Sequence, residues 1–90
     1  MSCYKEGNGF KCSCDGYELN MDELTNAEEM ISREQLKAYK FDFIKIIKGY
    51  SGCTSLYGYH EVMAHIENVG VEINIDDPCE DVLECMSYWD

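Results

Sequence analysis

Three cysteines near the start of the chain, Cys3, Cys12 and Cys14, have the type and spacing to hold a metal. Zinc takes four tetrahedral ligands, commonly thiolates and imidazoles. If Asn8-Gly9 makes a two-residue type I′ turn, whose central positions both need positive φ, Gly7 pairs with Phe10 and Cys3 falls opposite Cys14. Cys12 then shares their face, because side chains alternate along a strand. Cys53 is the candidate fourth ligand, with Cys79, Cys85 or a histidine as substitutes. Against metal stand the lack of a CxxC pair and the ordinary behaviour of free cysteine as a small buried hydrophobe. A Cys3–Cys14 disulfide is the other chemistry this register allows. Cys79 and Cys85, six apart on one helix, point about 120° away from each other and make no local pair.

The run His60-Glu61-Val62-Met63-Ala64-His65 resembles the HExxH zinc-protease helix with one residue too many. Five helical residues turn through about 500°, so the two imidazoles sit about 140° apart instead of sharing a face. They read as surface or boundary histidines. No glycine-rich phosphate loop and no serine elbow occur, and the carboxylates are spread too evenly to nominate an acid–base pair. The chain therefore reads as non-enzymatic. A cysteine nucleophile beside His60 or His65 is the enzymatic alternative.

Charge is the stronger signal. Eighteen acids against seven bases leave a net charge of −11 over 90 residues. Every base precedes Gly49, and from Tyr50 to Asp90 there are nine acids and no Lys or Arg. Between Ser13 and Ser32 lie six acids and no base. Phosphate binding needs Lys and Arg, so direct binding to nucleic acid or an anionic membrane is disfavoured and a basic protein partner is favoured. Acids at neighbouring helical positions, such as Asp77, Glu80, Asp81 and Glu84, repel one another and cost stability. The candidate contacts are Asp22, Glu23, Glu28, Glu29, Asp76, Asp77, Glu80, Asp81 and Glu84, with Tyr57, Tyr59 and Tyr88 as aromatic anchors.

These residues need elements to position them. The segment Ser32–Tyr50 reads as the central helix, with Ser32 and Gln35 at capping-box spacing and Gly49 as its stop. Its apolar stripe is Leu36, Tyr39, Phe43, Ile46, Ile47 and Tyr50, and Arg33, Lys37, Lys40 and Lys48 fall opposite. Phe41 and Ile44 interrupt the basic side, so cover is expected on more than one flank. The start of the chain, through Leu19, reads as a hairpin. A short helix follows from Met21 to Ile31, with Asn20 as cap. Another runs from about Tyr59 to Val69, with Val62, Met63 and Ile66 inward and Gly70 as stop. Val71–Ile75 alternates apolar and polar as a strand does. Asp77-Pro78 opens a last helix with Val82, Leu83, Met86 and Trp89 inward and Glu80, Asp81 and Glu84 outward.

The expected fold is α+β in the order ββαααβα: a small single domain, residues 1–90, with an N-terminal hairpin, one further strand and three to four helices packed on one side. No run approaches membrane-spanning length, and the Met1 end lacks a signal-peptide pattern, so the chain reads as cytoplasmic with reduced thiols. In size and acidity it resembles the proteins that phages and mobile elements direct against restriction or CRISPR machinery. The expected function is a small inhibitor that fills a basic, nucleic-acid-binding site of a partner by charge mimicry, without a cofactor. The alternatives are a structural or adaptor domain held by cysteine-ligated zinc and a cysteine-dependent enzyme.

Overall fold

The structure, a computed structural model, describes residues 3–6, 9–12, 18–21 and 31–88. It is a small α+β fold: among these residues are three short antiparallel strands, in spatial order β1-β2-β3, and three helices. The strands are β1 (Cys3–Glu6), β2 (Gly9–Cys12) and β3 (Glu18–Asn20). The helices are α1 (Arg33–Ser51), α2 (Ser55–Val69) and α3 (Pro78–Met86). The helix expected between Met21 and Ile31 lies, its two end residues aside, outside the described residues, as does Trp89.

The hairpin is real but its register differs by two residues from the one that Asn8-Gly9 implies. Glu6 pairs with Gly9, Lys5 with Phe10 and Cys3 with Cys12, in place of the expected pairing of Cys3 with Cys14. A shift of two leaves each residue on its original face, so burial does not separate the two registers and only the turn chemistry does. On the other side of β2, Phe10 pairs with Leu19 of β3, and both are buried in the core.

Helix α1 is the wall against which the rest packs, and both α2 and α3 rest on it. It begins where the capping residues require: Ser32 Oγ accepts from the Gln35 amide at 3.2 Å. It passes through Gly49 and ends at Gly52, whose left-handed φ of 73° lets its amide reach the Lys48 carbonyl at 2.9 Å. A helix stops where the left-handed position is taken up, and here that is three residues later than the first glycine. Leu36, Tyr39, Phe43, Ile44 and Ile47 are buried, while Tyr50 at the far end is exposed. Cover on a second flank comes from the sheet, where Phe10 packs on Phe41 with ring centres 5.2 Å apart and planes tilted by 56°. Lys40, expected on the solvent side, is fully buried and donates to the Met21 carbonyl at 3.2 Å. Its long stem replaces an apolar side chain, and the ammonium gains a backbone acceptor in place of water.

Helix α2 starts earlier than its apolar pattern suggests because Thr54 caps it, accepting from the Tyr57 amide at 3.2 Å. Gly58 lies where α2 crosses α1. A Cβ placed there would sit 3.1 Å from one Ile47 methyl and 3.3 Å from one of Ile44.

The segment Val71–Ile75 is not a strand. Gly70–Glu72 forms a 3₁₀ turn, and turn bonds follow from Ile75 N to Ile73 O and from Asp77 N to Asn74 O. The alternation itself is present: Ile73 is buried and Ile75 half-buried, while Glu72 and Asn74 face outward. In-and-out alternation marks a segment lying along a core, and it becomes a strand only where a ladder partner is at hand. On α3, Val82 is buried and Glu80 and Glu84 are exposed, as expected. Two positions are exchanged: Asp81 is 1% exposed and Leu83 is 51% exposed. Polar anchoring to Tyr39, described below, turns the helix so that Asp81 faces inward.

Among the described residues, no helix is long and apolar enough to cross a membrane.

Candidate functional site

Helices α2 and α3 face each other along two stripes. On α2, Tyr57, Glu61, His65 and Asn68 recur at the three- and four-residue spacing that keeps side chains on one face. On α3 and just beyond it, Asp81, Glu84, Cys85 and Tyr88 do the same. All of these except Asp81 line a cleft of about 520 Å³ between the two helices. Tyr57 and Tyr88 are 47% and 80% exposed, so they stand at its rim.

Behind the cleft, next to His65, lies a polar network centred on the buried Asp81. Its Oδ2 accepts from the Tyr39 hydroxyl at 2.5 Å and from the Asn74 amide at 2.9 Å. Its Oδ1 accepts from Asn74 Nδ2 at 2.6 Å. Three donors converge on one carboxylate, which is how a buried charge is kept without a lysine or arginine. Burial, and then the hydrogen bond to Asp81, raise the Tyr39 pKa above the ordinary phenol value, so Tyr39 remains a donor. His65 comes next. Its Nε2 lies 3.5 Å from Asp81 Oδ2, is shut off from solvent and has no hydrogen-bond partner. The imidazole ring packs at 5.9 Å on Phe43.

One contact ties the cleft walls together. Cys85 Sγ donates to Glu61 Oε2 at 3.2 Å. Burial, and then the Glu61 carboxylate, push the Cys85 pKa up to about 12. A thiolate is the reactive form of cysteine, so Cys85 is held in its inert state.

The sequence candidates are placed as follows. Asp76, Asp77 and Glu80 are exposed on the loop before α3 and on its first turn. Asp77 precedes the helix but makes no side-chain cap bond, and Pro78 occupies the first turn as expected. Glu84 is exposed on the cleft wall, with Tyr57 and Tyr88 nearby at the rim. Tyr59 is half-buried, edge-on to His60 at 6.0 Å. Asp81 presents no free carboxylate to the surface, because the inward turn of α3 commits it to Tyr39 and Asn74. Asp22, Glu23, Glu28 and Glu29 lie outside the described residues.

Of the cysteines considered for zinc, Cys3 and Cys12 oppose each other in the sheet, and Cys53 is half-buried in the α1–α2 connection. Cys14 lies outside the described residues. Among the described residues, the one group of three potential metal ligands is His65, Asp81 and Glu84, whose ligand atoms lie within 4.8 Å of one another. His60 is exposed while His65 is 9% exposed, so the two histidines do not share a face, and His65 is a core residue instead of a boundary one. The sequence signal for the α2 wall, which carries His65, is the i, i+4, i+8 series Tyr57, Glu61 and His65. It is invisible when histidines are matched only with each other.

The chain matches no family model, no curated protein and no solved structure.

Proposed function

We propose that this protein is a small inhibitor that binds a basic, nucleic-acid-binding surface of another protein by charge mimicry, acting in the cytoplasm of the cell in which it is made. The observation that carries this reading is the exposure of Asp76, Asp77, Glu80 and Glu84, the last of which lines the same cleft as exposed Tyr57 and Tyr88. No Lys or Arg follows Lys48, so no base within that half of the chain neutralises the set. Several bases of α1 are engaged elsewhere. Lys37 pairs with Glu34 at 2.8 Å, Lys40 is buried and Lys48 donates to Ser55 at 2.6 Å. Exposed tyrosines beside carboxylates are suited to Arg and Lys, offering a ring face as well as a counter-charge.

The test is capture from a nuclease-rich cell extract at low salt, comparing the wild type with the triple variant Asp76→Asn, Asp77→Asn, Glu80→Gln. The expected partner is a basic nucleic-acid-binding protein that is released by salt and by added DNA or RNA, and whose nucleic-acid binding the wild type blocks. The triple variant should associate more slowly, because rim charges act mainly on the on-rate. Equal capture by both proteins, or a partner whose binding ignores salt and nucleic acid, would remove charge mimicry.

A further inference from the structure

We infer that His65, Asp81 and Glu84 form a site for a divalent transition metal of the zinc class, at the α2–α3 cleft. The inference starts from His65 Nε2, a buried nitrogen without a hydrogen-bond partner. Native proteins rarely leave such an atom unsatisfied, and a missing ion is one of the ordinary reasons. Its neighbour, Asp81 Oδ2, is 3.5 Å away. That is long for a nitrogen–oxygen hydrogen bond, which clusters between about 2.7 and 3.2 Å. It is also the separation of neighbouring donors on one tetrahedral zinc, about 3.3–3.6 Å for bonds of about 2.0–2.2 Å. Because Oδ2 already accepts from Tyr39 and from the Asn74 amide, a metal would replace one of those bonds or bind through Oδ1, which holds a single donor. A carboxylate oxygen of Glu84 completes a set of three atoms, all within 4.8 Å of one another.

The surroundings are those of a ligand shell. A ligating carboxylate is normally held by further hydrogen bonds, and Asp81 is held by Tyr39 and by both donors of Asn74. One imidazole and two carboxylates suit zinc, cobalt or manganese better than the hard, all-oxygen preference of calcium or magnesium. Of the three, His65 and Glu84 line the cleft and Glu84 is exposed, so a fourth ligand would enter from the Glu84 side. A site with three protein ligands and one open position can take water or a donor from a bound molecule.

The probes are Zn²⁺ and Co²⁺, added to the full chain after chelator treatment and removal of the chelator. The wild type should bind about one equivalent of zinc, and Glu84→Gln and His65→Gln should each weaken binding by at least about tenfold, the low end of what even outer-shell changes cost. Glu84 is exposed, so Glu84→Gln leaves the fold intact and decides the matter alone if His65→Gln fails to fold. The cobalt complex should show tetrahedral or five-coordinate ligand-field bands without thiolate-to-metal charge transfer. No binding, an unchanged affinity in Glu84→Gln, or thiolate bands that move the ion to the cysteines would overturn the site. The carboxylates removed in the capture experiment are not ligands here, so the two readings fail separately.

Discussion

The Tyr39 hydroxyl donates to Asp81 Oδ2 at 2.5 Å, across 42 residues of chain, and each side chain is 1% exposed. This bond joins the second turn of α1 to the first turn of α3. It explains why an acidic helix, repelled by its own neighbours, turns one carboxylate inward. The carboxylate gains three donors there that water would otherwise have to match.

Asp81→Asn should therefore be strongly destabilising. The amide has one accepting oxygen where the carboxylate has two, and a buried donor such as the Tyr39 hydroxyl costs about 1–3 kcal/mol when left unpaired. Glu80→Gln, one position earlier and exposed, should lie within about 0.5 kcal/mol of the wild type. Urea unfolding in chelator-containing buffer makes the comparison. Equal stability of the two variants would show that the network contributes nothing.

Alkali should loosen the fold, through Cys85 first. Its pKa rises from an ordinary 9.0 to about 12 in the folded protein. Below pH 9 the thiol is protonated in both states and stability is unaffected. Between 9 and 12 only the unfolded chain releases the proton, so folding stability falls as pH rises. Tyr39, also raised, adds to the loss above the usual phenol range. In a thiol-alkylation time course at pH 8, read by mass spectrometry, Cys85 should react more slowly than Cys53 and Cys79. Glu61→Gln should speed it, because one of the causes that hold the proton is then gone. Cys85 labelling as fast as Cys79 would contradict this assignment.

Gly58→Ala tests the α1–α2 crossing. In an open helix the change gains up to about 1 kcal/mol. Here the new methyl meets Ile47 at 3.1 Å and Ile44 at 3.3 Å. Branched side chains on a helix have one strongly preferred rotamer, so they cannot swing aside. Overpacking of this kind costs about 1–3 kcal/mol, and the net effect should be a lower melting temperature. A raised melting temperature would mean that the helices separate easily.

Much of the helical part of this fold was readable in advance, for reasons particular residues make clear. Ser32 and Gly70 mark their helix ends by capping chemistry that acts over a few residues, and Phe43, Ile47, Val62 and Ile66 are spaced for burial. What was not readable depends on distant partners. Nothing near Lys40 in sequence announces that Met21 will offer it a carbonyl. Nothing near Asp81 announces Tyr39. The strand expected at Val71–Ile75 failed for the same reason: its alternation is local, whereas a ladder needs a neighbour, and none pairs with it among the described residues. The cleft belongs to the same class, since each helix carries half of its stripe and neither half is distinctive alone.

The double hold of Asp81 on Asn74 has a consequence for motional freedom. Both the backbone amide and the side-chain amide of Asn74 are fixed, and Asp77 N closes a turn back to Asn74 O at 2.9 Å. The short segment bearing Asp76 and Asp77 is thereby pinned at its base before any partner arrives. Fixing a residue's backbone costs about 1–2 kcal/mol of conformational entropy, and here folding has already met that cost. An encounter would have only the outer bonds of the carboxylate side chains left to order, which favours slow dissociation at a given contact area.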